Sequence, residues 1–203
     1  MSLFFVWLGV MFPLVFSPGP ANIIFAASGA RVGVRQSLPL LFGVDLVFII
    51  KSLLIGFGLG QVLQGYPNVM NVMQFLGASY LIYMAVSFLK SANKTSESEQ
   101  KVFGFVDGVF VQLLNSKGWL MVLLMFSLFS EQAQDTFGNQ GVFVLVLWLA
   151  LLNVSMHLLW IKMGFWLSKI SSSPQYAKGL NCFYASCLLL VSFGLIINNP
   201  MWL

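Results

Sequence analysis

Five side chains able to do chemistry stand inside long apolar stretches of this 203-residue chain: Asp45, Lys51, Lys117, Asn153 and His157. Asp45, in "LFGVDLVF", is an acid deep inside such a run. Removal from water disfavours a charged carboxylate, so Asp45 is a candidate for reversible protonation or for a buried hydrogen bond to a neighbouring helix. His157 is the sole histidine and a second candidate for carrying a proton. It lies four residues after Asn153 and shares a helix face with it, either toward a cavity or as a packed polar pair. Lys117, in "LLNSKGWL", is far from both ends of its run, and an ammonium there marks a partner or a watery cavity. Lys51 is six residues from Asp45, a rotation of about 600° on a helix, so the two diverge and form no i,i+4 pair. Lys51 is expected to lean toward the outer membrane face.

The backbone carries a second signal in "FSPGPANIIF", residues 16–25. Pro18 and Pro20 remove two amide donors and bias Ser17 and Gly19 away from helical angles, which leaves carbonyls near residues 14 and 16 without their usual partners. Counted from Leu3, Ser17 lies about 21 Å along a helix, past the middle of a ~30 Å hydrocarbon core. Backbone freed at that depth is tolerated where it is buried in protein or lines a cavity. Pro13 is expected to give a simple kink.

The elements that must hold these groups are membrane helices. Hydrophobic residues make up 59% of the chain and charged ones 8%, with a mean hydropathy of +0.89, and such a chain cannot cover itself with polar surface. Six spans are predicted, approximately residues 3–28, 37–63, 69–89, 103–129, 141–167 and 179–198. They leave no room for a soluble domain. The first span lacks a basic leader and a small-residue cleavage pattern, so it is expected to stay in place. Cys182 and Cys187 have no metal or redox spacing. "GFGLG", residues 56–60, has no preceding strand and is expected to serve close packing rather than a nucleotide. The net charge of +4 is explained by alternate loops. Arg31 and Arg35, then Lys90, Lys94 and Lys101, then Lys169 and Lys178 fall on one side, while "QGYPNVMN" and "EQAQDTFGNQ" fall on the other. The positive-inside rule then puts both termini outside the cytoplasm. Lys162 is expected to snorkel, and Asp107 to sit in the first turn of span four as a partner of the helix dipole.

At an offset of 99 residues Gly9 matches Gly108, Ser17 matches Ser116 and Gly19 matches Gly118, so "SPG" and "SKG" occupy equivalent places. Spans three and six share Ala-Ser at 78–79 and 185–186. A three-span unit used twice must enter the membrane from opposite sides, which is the inverted-repeat architecture of secondary transporters.

Three stretches carry a family resemblance: "SPGPAN", "FLGASYLIYMAVSFLK" and "FVQLLNSKGWLMVLLMFSLF". Over almost its full length the chain resembles the LysE/RhtB family of bacterial amino-acid exporters. The family's Pro-Gly motif corresponds to Pro18 and Gly19, its span-three motif to Gly77 through Leu81, and its Asn-Pro-Lys motif to Asn115, Ser116 and Lys117. Ser116 replaces the motif's proline, so a milder break is expected there, and Asn153 stands where an acid is frequent in span five. The resemblance implies an inner-membrane, proton-driven exporter of amino acids or similar small metabolites.

The expected fold is all-α and polytopic, with two inverted three-helix repeats and broken helices one and four. Residues 1–90 and 103–203 are the repeats, and 91–102 is a cytoplasmic linker. The expected substrate site comprises Ser17, Pro18, Gly19, Pro20, Asn22, Asp45, Asn115, Ser116, Lys117 and Asn153, with Asp45 and His157 as proton-coupling candidates. In this reading the substrate carboxylate meets Lys117 while its ammonium meets Asp45 and exposed carbonyls. No cofactor, metal or nucleic acid is called for. The expected partners are an amino acid and the lipid bilayer, with a homodimer as the assembly to test. Alternative readings are a cation transporter of the same fold, for which oxygen ligands are scarce, and a non-transporting membrane subunit whose Lys51 and Lys117 would pair with a partner's acids. GxSxG and HExxH motifs are absent, which leaves little support for an enzyme.

Overall fold

The fold comes from a computed structural model that describes residues 2–59, 67–92, 102–170 and 173–199. Apart from short connections such as residues 17–19, 102–104 and 114–115, those residues are helical, with no strand among them. The helices are α1 (Leu3–Phe16), α2 (Pro20–Leu54), α3 (Pro67–Ala92), α4 (Phe105–Leu113), α5 (Ser116–Phe137), α6 (Gly141–Lys169) and α7 (Pro174–Ile197). A π-helical turn, Ile55–Leu59, extends α2, and a 3-10 turn, Gly138–Gln140, joins α5 to α6. Among the described residues, four helical stretches are long and apolar enough to cross a membrane: Pro20–Gly58, Asn71–Lys90, Ser116–Lys169 and Gln175–Ile197. Large apolar side chains such as Phe5, Phe42, Leu190 and Phe193 are exposed on the outside, as expected of a polytopic membrane protein whose solvent is lipid.

The chain leaves helical geometry where its sequence dictates. Ser17, held before Pro18, has ψ 143°, and α1 ends there. Gly19 is fully extended, and Pro20 restarts a helix at the position where a missing amide matters least. Predicted span one is thus divided between α1 and the start of α2, and predicted span four between α4 and α5. At 35 residues, α2 would run about 52 Å if straight, far more than one crossing needs. It folds back at Gly33, whose φ of 80° favours glycine. The Ser28 and Ser37 hydroxyls hydrogen-bond at 2.8 Å across that turn, although nine residues of straight helix would separate them by about 13 Å. Of the predicted linker 91–102, residues 93–101, with Lys94 and Lys101, lie outside the described residues, as do residues 60–66.

Glycines let the helices approach at backbone distance. A Cβ on Gly29 of α2 would strike the Ile161 carbonyl of α6, and one on Gly164 of α6 would strike the Ala26 carbonyl of α2. The same reciprocal pairing joins α2 to α4, with Gly43 against the Phe105 carbonyl and Gly108 against that of Leu40. Gly77 of α3 abuts the Leu114 carbonyl, between α4 and α5. In the π-helical turn, Gly56 admits Phe126 and Val142, in keeping with a packing role. Asp107 accepts from the Gly104 amide at the start of α4 and, through its other oxygen, from the Tyr80 hydroxyl of α3. These contacts fix α2 against both α4 and α6, so side chains from all three converge.

Candidate functional site

The first non-helical stretch, residues 17–19, exposes carbonyls that the protein itself then occupies. The Ser17 hydroxyl donates to the Leu14 carbonyl at 2.9 Å. The Asn22 amide, one turn into α2, reaches back to the Val15 and Ser17 carbonyls at 2.9 and 3.0 Å. The carbonyls that the sequence suggested would meet a substrate ammonium are therefore largely engaged by side chains in this conformation.

The second stretch, Leu114 and Asn115, contains no proline. Asn115 has the extended backbone of an N-cap, and its side-chain oxygen accepts from the Gly118 amide at 3.2 Å. Its side-chain amide donates to Gln112 at 3.2 Å. The Trp119 indole closes the end of α4 by donating to the Leu113 carbonyl at 2.8 Å. Ser116 is the first residue of α5, so a helix starts here without the motif's proline.

Lys117 joins the two stretches across 100 residues of sequence. Its ammonium donates to the Ser17 carbonyl at 2.9 Å and to the Ser17 hydroxyl at 2.7 Å. A cation on the last exposed carbonyl of α1 also complements that helix's negative end. Gly19 makes room, since a Cβ there would come within 3.0 Å of the Lys117 side chain.

Beside this junction lies a cavity of about 340 Å³ including its mouth, lined in part by Gly19, Asn22, Gln112, Asn115, Lys117 and His157. The space inside it that a water molecule can occupy is about 30 Å³, so the cavity is nearly closed in this conformation. Asn153 and His157 both reach it from α6, while Asn153 donates to the Leu149 carbonyl of its own helix at 2.9 Å rather than to His157. His157 Nδ1 meets Asp45 Oδ1 at 2.8 Å, tying α6 to the second arm of α2. The pair is buried, with the His157 ring against Phe25 at 4.6 Å. Asp45 itself stands behind His157, and its second oxygen has no hydrogen-bond partner among the described residues. Among those residues there is no group of three or more His, Cys, Asp or Glu side chains suited to a metal ion.

Lys51 corrects the expectation of an outward lean. It is 2% exposed and points inward, with its ammonium 5.0 Å from the Phe48 ring and 5.3 Å from the Trp119 ring. The reason is that Gly43, packed on α4, turns this arm so that residue 51 faces α5. Gln112, Phe48 and Met121 were not singled out from sequence either, and Gly118 stood out only as the repeat counterpart of Gly19. A glutamine in the apolar run just before "NSKG" was the available signal for Gln112, whereas Phe48 and Met121 look like any core residue. Lys162 is exposed on the outside of α6.

A protein-family model described as "LysE type translocator" matches residues 12–199 of the chain. Among curated proteins, the "Cysteine/O-acetylserine efflux protein" of Escherichia coli strain K12 is 30% identical over 179 residues, covering 86% of this chain and 87% of that relative. The protein of the same name from Shigella flexneri serotype 5b matches equally. That from Escherichia coli O139:H28 is 29% identical over 177 residues, covering 85% and 87%. No solved structure matches the chain.

Proposed function

Because this chain belongs to the LysE type translocator family, and is a transporter rather than an enzyme, we propose that it exports an amino acid or a close derivative by proton antiport with alternating access. The observation that carries this reading is the Lys117–Ser17 contact. It brings two interruptions of helical backbone together beside a polar-lined cavity that His157, one half of a buried acid–histidine pair, also lines. Inverted three-helix repeats, with α1 and α4 each followed by a break, would account for the pairing of "SPG" with "SKG".

The cavity has a chemical polarity suited to a zwitterion. Donors from Gln112, Asn115 and the positive end of α5 form one wall, where a carboxylate would rest. His157, with Asp45 behind it, and Asn153 form the opposite wall, where an ammonium would rest. Proton exchange follows from the Asp45–His157 pair. A proton taken up by the pair from the outside lowers its negative charge and weakens the hold on a cationic ammonium, whereas its loss to the cytoplasm restores that hold. Ser17, Pro18, Gly19, Pro20 and Ser116 act through backbone geometry. Lys117 acts as a tether that must release when the cavity changes sides. The relatives' names point to cysteine and O-acetylserine as first solutes to try. The protein would be a multi-pass inner-membrane protein with both termini outside the cytoplasm, and a homodimer is the assembly to examine.

The test is counterflow by purified protein in liposomes over a panel of amino acids, with and without an imposed pH difference. Uptake against preloaded O-acetyl-L-serine or cysteine is expected, accelerated by the pH difference. Asp45→Asn should lose the acceleration yet keep exchange. Equal acceleration in that variant would remove Asp45 from the coupling, and no flux of any panel solute would refute export itself.

A further inference from the structure

We propose that Lys51, a residue without an assigned role, is the group that binds the carboxylate of the exported solute, with Gly118 serving to admit it. This rests on the exporter reading above. Lys51 is almost wholly buried, and its Nζ has no hydrogen-bond partner among the described residues. The aromatic faces of Phe48 and Trp119 stabilise a cation but accept no strong hydrogen bond. An ammonium held this way in a membrane protein calls for an anion. Lys117, the other cation of the site, is already engaged with both oxygens of Ser17.

The direction in which Lys51 points identifies the place. A Cβ on Gly118 would lie 2.6 Å from Lys51 Nζ, 3.1 Å from Gln112 Nε2 and 3.2 Å from Asn115 Nδ2. Three nitrogen donors on α2, α4 and the α4–α5 connection therefore converge on one point beside the first turn of α5. Phe48, Gln112, Asn115 and Gly118 all belong to the cavity wall, so that point adjoins the cavity. A carboxylate with its two oxygens turned to this corner would meet the ammonium, the side-chain amides and the positive end of a 22-residue helix together. Its α-ammonium would then project toward His157 and Asn153.

Counterflow of O-acetyl-L-serine by the full-length protein, compared with binding of its decarboxylated analogue O-acetylethanolamine, tests the assignment. Lys51→Met keeps the length and removes the charge, and should raise KM for O-acetyl-L-serine about tenfold or more with kcat little changed. Binding of the analogue should be the same in both proteins. Lys51→Arg should restore most of the affinity. Gly118→Ala places a methyl that displaces the flexible end of Lys51 and asks the Gln112 and Asn115 side-chain amides to give by a few tenths of an ångström, so it should fold and reproduce the Lys51→Met phenotype; it carries the test if Lys51→Met does not reach the membrane. A resident structural lysine would give another pattern, in which Lys51→Met lowers thermal stability and transports with wild-type KM. That result, or equal losses for the amino acid and its decarboxylated analogue, overturns the proposal while leaving export intact. Absence of flux in the wild type would remove the exporter reading and this proposal with it.

Discussion

The two places where the backbone leaves helical geometry beside the cavity are built from different chemistry. Residues 17–19 are bracketed by Pro18 and Pro20, so covalent structure forbids a continuous helix there. Leu114 and Asn115 contain no such constraint, and the second departure depends on the Asn115 side chain, which caps α5. In the first, side chains repair what proline removes, with Asn22 and Ser17 satisfying the carbonyls. In the second, a side chain creates the interruption. A proline break persists whatever surrounds it, whereas a capped break can be undone by one substitution. The first is thus suited to be a fixed wall and the second an adjustable one.

Removing the link between the two should have the largest effect. Lys117→Met leaves both departures in place but loses the two charge-assisted bonds to Ser17, and counterflow is expected to fall about a hundredfold with little change in expression. Full transport by that variant would mean that the stretches act independently. The double substitution Pro18→Ala/Pro20→Ala comes next. It removes the cost of about 3 kcal/mol that proline would impose on a continuous helix and so lets α1 run on toward α2, and exchange should drop about tenfold while thermal stability is maintained. Smaller again are the repairs and the cap. Asn22→Leu strands the Val15 carbonyl, while that of Ser17 keeps Lys117, and should destabilise by about 1–3 kcal/mol, and Asn115→Ala should cost about 1 kcal/mol with partial rescue by Asp. Thermal unfolding in detergent separates these, and a reversed order would contradict the assignment of fixed and adjustable walls. Ser116→Pro should matter least, within about 0.5 kcal/mol and without loss of transport. Ser116 is already the first residue of α5, where proline is well tolerated.

That last point shows what the sequence could and could not convey. Pro18 and Pro20 announce their effect through local sterics, so residues 17–19 were readable without any neighbour. Ser116 suggested a milder break because the rule applied was the loss of proline, while Asn115, one residue earlier, had already made the helix start. Asp45, Lys117, Asn153 and His157 stood out because charge and amide groups are rare in apolar runs. Their pairings did not, since Lys117–Ser17 and His157–Asp45 span 100 and 112 residues, and periodicity within one helix carries no information about contacts between distant ones. Lys51 was misjudged for the same reason. Its distance along α2 suggested an interface, but the packing of Gly43 against Phe105 turns it inward. Likewise, the fold-back at Gly33 was expected as a loop between two spans, and it came as a turn within one helical run because Ser28 and Ser37 bond across it.

The central claim is that a solvent-reached cavity at mid-membrane depth opens alternately to each side between these two walls. Met121 lines that cavity without taking part in any polar contact named above, so a cysteine placed there, with Cys182 and Cys187 changed to Ser, reports on it directly. Labelling of Met121→Cys by a charged, membrane-impermeant methanethiosulfonate should occur from either face of the membrane and slow when O-acetyl-L-serine is present. A thiol unreactive from both faces, or reactive from one face only and indifferent to every transported solute, would contradict the account.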